Sequence, residues 1–152
     1  MNLGFVTYLF DLEQLVVPDP TQAGYPAWPP PPFVDLVNWW GRNFDPLLQA
    51  RPAFYRMTLW IDVLLFGPFY VAAIYAFVRG RDWIRPAAAM VWSGAMVAIV
   101  SIILMEERYG IHASPRFGMV LAANLPWLLL PVAMLARLAR SAHPFSRPAG
   151  MP

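Results

Sequence analysis

The chain has 152 residues, enough for one domain, of which 59% are hydrophobic and only 13% are charged. A soluble domain carries about 25% charged residues, so this composition predicts a membrane protein. The net charge of +2 is too small to favour a nucleic-acid partner, and the lack of cysteine excludes disulfides and thiolate metal sites.

The first apolar segment, residues 1–17, is interrupted by Asp11 and Glu13. It is too short to cross a bilayer, which takes about 20 helical residues. We therefore expect a first membrane helix that is short or truncated. Residues 18–56 predict a loop, in which the prolines at 29–32 adopt an extended polyproline conformation. Within this loop, residues 33–44 predict an amphipathic helix with Trp39 and Trp40 at the headgroup level.

Three longer apolar segments, at residues 57–78, 86–105 and 117–136, predict membrane-spanning helices. Gly67 and Pro68 predict a kink in the first of them, just past Asp62. In the second, the small residues at 94, 98 and 101 share a face that suits close packing, within the bundle or in a dimer.

The predicted fold class is all-α, a multi-pass membrane four-helix bundle over residues 1–140. Residues 141–152 are predicted to be a disordered tail. Arginines concentrate at 79–85 and in the tail, which places both segments in the cytoplasm.

Acidic residues in or beside apolar segments are the candidate functional groups. Asp11 and Asp62 lie in different predicted helices at similar depth, and Asp45 lies in the loop that covers the same side. Carboxyl groups that converge on an apolar cavity share protons, and they bind a cationic amine or move a proton on a lipid substrate. Phe66 and Phe69 follow Asp62 on one helical face and offer cation–π contacts.

The fourth predicted helix adds a second polar and aromatic face. Asn124 and Trp127 share one side of this helix, close to Pro126, and are expected to line the cavity.

Each of these residues also has a purely structural interpretation. Asp45 precedes Pro46 and is suited to capping a helix. Asp62 can make an interhelical hydrogen bond, and Trp127 can pack against lipid or the core. The acids at 106 and 107 are expected to be solvated at a helix end. The two histidines lack metal-ligand spacing, so neither a metal nor a cofactor is expected.

Four motifs resemble those of the EXPERA family: DPLLQARP at 45–52, IYAFVRGRDWIRPAA at 74–88, LMEE at 104–107 and LPWLLLP at 125–131. The resemblance covers residues 33–137. The family consists of four-helix membrane proteins and includes the emopamil-binding sterol isomerase and the sigma-2 receptor. The first two motifs are similar to the sigma-2 receptor branch.

The resemblance implies a ligand-binding site. By position, Asp11 resembles the aspartate that meets the ligand amine in the sigma-2 branch, and Asp45 resembles the aspartate that supports it. Asp62 stands where that branch has a membrane glutamate, and Trp127 where it has a pocket tyrosine. Asn124 and Trp127 together match the N-x-x-W pair of the isomerase branch.

We therefore expect a protein that binds sterols or related lipids and cationic amphiphiles, with a role in sterol homeostasis and no catalytic residue. The alternative is a sterol Δ8-Δ7 isomerase that uses Asp62, Glu106 or Asn124, because the isomerase's first-helix histidine has no counterpart here. A third interpretation is an interaction or trafficking protein. The resemblance implies a homodimer and the endoplasmic reticulum membrane in a eukaryote, while the composition leaves a bacterial plasma membrane open.

Overall fold

A computed structural model of the chain describes residues 6–17, 25–79 and 86–140. All of the regular structure in these residues is helical, as predicted. The helices, in chain order, are α1 (Thr7–Asp11, a π-helical turn, continued by Leu12–Val16), α2 (Pro31–Asn43), α3 (Pro46–Ala50), α4 (Ala53–Ile61, the π-helical turn Asp62–Phe66, and Gly67–Arg79), α5 (Pro86–Tyr109) and α6 (Phe117–Arg140). The predictions for residues 80–85 and 141–152 lie outside the described residues.

Three helices are long and apolar enough to cross a membrane: Ala53–Ala76 within α4, Ala87–Tyr109 within α5, and Phe117–Arg140. Large apolar side chains such as Val71, Val91 and Leu129 are exposed on them, which fits a surface that meets lipid. The described part of α1 is only about 15 Å long, so it does not cross a bilayer. The three spans are confirmed, and the described part of α1 packs against them as a short helix.

Two predicted boundaries are wrong for physical reasons. Pro31 and Pro32 do not continue an extended segment but occupy the first two positions of α2. Proline is accepted there because the first helical N–H groups have no intrahelical partner. Helix α5 continues to Tyr109 instead of ending near residue 105, so Glu106 and Glu107 lie in its last turns.

The buried apolar residues form two clusters. One cluster joins α4, α5 and α6 through Phe66, Tyr70, Trp92, Met96, Val100, Leu104 and Val120. The other joins α1, α3 and α4 through Leu15, Leu47, Tyr55, Leu59 and Val63. The candidate acids lie where these two clusters adjoin.

The predicted small-residue face of α5 does not pack inside the molecule. Gly94, Ala98 and Ser101 are all exposed, and a Cβ added at Gly94 would meet no atom within 4 Å. Of the two uses that the sequence left open, packing within the bundle is therefore wrong.

Candidate functional site

A partly open cavity of about 350 Å³ is lined by residues of all six helices, α1 to α6. Most of its lining is apolar. Six of the seven predicted site residues line it: Asp11, Asp45, Asp62, Phe66, Asn124 and Trp127. Phe69 does not; its ring stacks on Trp92, with centroids 5.4 Å apart. The volume is within the usual range for small-molecule sites, about 300–1,000 Å³.

Asp11 and Asp62, the first acid pair, lie in contact across the interface of α1 and α4. Their side chains interact through a hydrogen bond. Thr7 Oγ1 donates to Asp62 Oδ2 at 2.5 Å, and the Tyr70 hydroxyl donates to Asp62 Oδ1 at 3.3 Å. Because an ionised carboxylate can only accept, a hydrogen bond between two carboxyl groups requires a proton on one of them. Two ionised carboxylates in contact would repel each other, so this geometry suits a pair that shares one proton.

Both members of the first acid pair belong to π-helical turns. Asp11 is the last residue of the turn in α1, and Asp62 is the first residue of the turn in α4. A π-helical turn inserts one residue into a helix and is common at functional sites. Gly67 follows the turn in α4 and lets α1 approach closely, because a Cβ at this position would overlap the Tyr8 hydroxyl. Where the sequence predicted a kink at Gly67 and Pro68, the structure has a π-helical turn immediately before them, at Asp62–Phe66.

Asp45 caps a helix and also lies on the cavity wall. Its Oδ1 accepts a hydrogen bond from the Leu48 backbone N–H at 3.1 Å, which caps α3, and the residue also lines the cavity. Its exposure is only 4%. Burial raises the pKa of the Asp45 carboxyl above its ordinary value, although its contacts with Glu107 and with the backbone of α3 oppose the shift.

Glu107 is the partner of Asp45, and the two form the second acid pair. The prediction of a solvated Glu107 is wrong, because its exposure is 0%. The two carboxyl groups interact closely, but neither Glu107 oxygen has a well-aligned hydrogen-bond partner. Two acids this close in a buried site share a proton.

Glu106 lies apart from the cavity. It accepts hydrogen bonds from the backbone N–H of His112 at 3.2 Å and contacts His112 Nδ1 at 2.6 Å. Both side chains of this pair are partly exposed, at 21% and 19%. The structure therefore separates Glu106 from the other candidate acids.

Helix α2 covers one side of the cavity. Leu36, Val37 and Trp40 line it, while Trp39 is 52% exposed. The headgroup-level placement of the two tryptophans stays a prediction. Trp40 lies on the cavity wall and packs on Phe44, with ring centroids 4.7 Å apart.

The buried support beneath the cavity was missed by sequence reasoning. Arg51 forms an ion pair with Glu13, at 3.2 Å between Nη2 and Oε2, with side-chain exposures of 3% and 0%. Gln14 accepts a hydrogen bond from the Tyr55 hydroxyl at 2.7 Å. These contacts fix α1 on the segment that carries Asp45. The sequence shows Glu13 and Arg51 as charged residues near apolar segments, but nothing in it indicates that the two form an ion pair.

Asn124 and Trp127 reach the cavity from α6. The Asn124 amide donates to the Val120 carbonyl at 2.9 Å, within its own helix. No group of three His, Asp or Glu side chains within the described ranges could hold a metal ion. The site is therefore an apolar cavity with carboxyl groups, one amide and several aromatic rings.

The fold and site define a multi-pass helical membrane protein with an acid-lined internal cavity. The model of the EXPERA family (EXPanded EBP superfamily) matches residues 32–138, so the chain belongs to this family. It is 29% identical over 128 residues to the sigma intracellular receptor 2 of Homo sapiens and to that of Macaca fascicularis, covering 75% of this chain and 72% of each relative. The Xenopus tropicalis receptor is 29% identical over 142 residues, with 86% and 77% covered.

Proposed function

We propose that the chain binds sterols or related lipids, and cationic amphiphiles, in the cavity between its helices. The observation that carries this proposal is the first acid pair, Asp11 and Asp62, on an otherwise mostly apolar cavity wall. Within the described residues the ion pairs join Arg51 to Glu13 and His112 to Glu106, so no basic side chain there neutralises the acids of the cavity.

A cationic ligand would supply the missing counter-charge. An ammonium group beside the first acid pair would replace the shared proton and ionise both carboxyl groups. Phe66 and Trp127 offer ring faces to the same cation. Asp45, which caps α3 and lines the same cavity, is the second anchor.

A neutral sterol would use the same surfaces differently. Its rings would occupy the apolar lining, and its hydroxyl group would pair with one carboxyl group. Such lipids dissolve in the bilayer, so we propose lateral entry between the helices. We also propose a role in sterol homeostasis, in the endoplasmic reticulum membrane of a eukaryote or the plasma membrane of a bacterium, and a homodimer for which the exposed face of Gly94, Ala98 and Ser101 is available.

The test is the affinity of the purified protein for a cationic amphiphile. Asp11→Asn and Asp45→Asn should each weaken binding about tenfold or more, because each removes a charge-assisted contact. Asp35→Asn is the matched control, since Asp35 is exposed and bonds to Tyr25 away from the cavity. Unchanged affinity in both cavity variants would refute the site assignment.

A sterol Δ8-Δ7 isomerase is the second candidate, and the shared proton of the first acid pair favours it. Such a pair could deliver a proton to one alkene carbon, and a second group could remove one elsewhere. Asp62 and Asn124 line the cavity and remain candidates, whereas Glu106 does not line it. Incubation of an 8-ene sterol with purified protein, followed by mass spectrometry and chromatography of the bound and free sterol, separates the two functions. A shifted double bond supports the enzyme, and unchanged sterol in the bound fraction supports the binding protein.

A further inference from the structure

We propose that a groove where α5 ends and α6 begins binds the phosphate group of a membrane phospholipid. The groove is lined by Arg108, Pro115, Arg116, Phe117, Gly118 and Met119. It shares no lining residue with the cavity described above. The proposal therefore does not depend on the ligand of that cavity.

The two arginines of the groove are held by aromatic rings and not by acids. The Arg108 guanidinium carbon lies 5.3 Å from the centre of the Phe117 ring and 5.7 Å from that of Tyr109. The Arg116 guanidinium carbon lies 5.4 Å from the centre of the Phe44 ring. No ion pair joins either arginine to an acid in the described part of the chain.

This arrangement leaves the hydrogen-bonding edges of both guanidinium groups available. A ring contacts the flat face of a guanidinium group, whereas a phosphate binds the N–H edge, commonly through two parallel hydrogen bonds. The rings also restrict the arginine side chains before a ligand arrives, which lowers the entropy lost on binding. Two such edges on one groove complement a phosphate group.

The position of the groove favours a lipid phosphate over a soluble anion. Helix α5 has 24 residues and is about 36 Å long, which exceeds the roughly 30 Å hydrocarbon core. Its last turn, with Arg108, therefore reaches the headgroup region, and Arg116 lies at the same end of the adjacent helix. The remaining lining is apolar or lacks a side chain, which suits the glycerol and upper acyl chains of a phospholipid.

The test is native mass spectrometry of the full chain in detergent, titrated with phosphatidylglycerol. A double variant, Arg108→Gln with Arg116→Gln, should weaken lipid binding about tenfold or more. Arg42→Gln is the matched control, because Arg42 is an exposed arginine at the end of α2 and outside the groove. Arg116→Lys keeps the charge but not the planar fork, so its affinity should fall between wild type and the double variant.

Two further ligands test whether binding requires both the phosphate group and the acyl chains. Diacylglycerol with the same acyl chains should bind much more weakly, and glycerol phosphate should not displace phosphatidylglycerol at equal concentration. The proposal is overturned if the double variant binds like wild type, if Arg42→Gln causes an equal loss, or if diacylglycerol binds as tightly. Displacement by glycerol phosphate would also overturn it, since the groove would then be a site for soluble anions.

Discussion

Replacing Arg51 by Met should destabilise the protein strongly, because Glu13 would keep a buried charge without a partner. Arg51 also donates to the backbone carbonyls of Leu48 at 2.9 Å and Gln14 at 3.3 Å, and to that of Val17. Breaking one side of a buried ion pair costs about 3–5 kcal/mol. At about 2–4 °C per kcal/mol for a chain of this size, Tm should fall by roughly 10 °C.

The assay is thermal unfolding in detergent, followed by near-ultraviolet circular dichroism. Glu13→Leu in the Arg51→Met background should recover part of the loss, because it removes the stranded charge. Arg56→Met is the control, since Arg56 is exposed on α4. If Arg51→Met lowers Tm no more than Arg56→Met does, the pair does not hold α1 in place and the reasoning is refuted.

Three further predictions follow from the site. Gly67→Ala should cost about 1–3 kcal/mol by overlap with the Tyr8 hydroxyl, and Tyr8→Phe should relieve part of it in thermal unfolding of the double variant. Burial raises the pKa of Asp45 above 3.8 in the folded protein. The stabilisation of the folded protein by neutral Asp45 is therefore fully present below the unfolded-state pKa, and it is lost as the pH rises through the raised folded-state pKa. Asp45→Asn, which still caps α3, should therefore flatten the decline in Tm as the pH rises above about 4; an unchanged slope would contradict this. Phe66→Leu should weaken amine binding by about threefold or more and Phe69→Leu should not, whereas equal losses would remove Phe66 from the site.

The membrane spans could be predicted because each is a long apolar segment with few charged residues, and composition alone identifies such segments. The start of α2 could not be read from its prolines, since Pro31 and Pro32 are compatible with both an extended chain and the first turn of a helix. The two π-helical turns had no clear signal either. Each turn adds one residue to a helix without changing the apolar pattern that predicts the helix.

Much of the candidate site was predictable because an acid in a membrane helix costs free energy when it faces lipid, and therefore faces protein or a cavity. Asp11 and Asp62 were expected to converge, and the structure brings them into contact. Glu107 was misjudged because an acid at a helix end is ordinarily solvated, and only the fold brings Asp45 over it. Phe69 packs on Trp92 and not on the cavity wall, because helical spacing from Asp62 cannot distinguish that wall from the neighbouring core.

The most direct test of the central claim is an experimental structure of the protein bound to a cationic amphiphile. We expect the ligand in the cavity, with its ammonium nitrogen about 3 Å from a carboxyl oxygen of Asp11 or Asp62 and its apolar part against Phe66 and Trp127. A ligand bound on the outer surface of the helices, or an ammonium group in the cavity without a carboxyl contact, would contradict it.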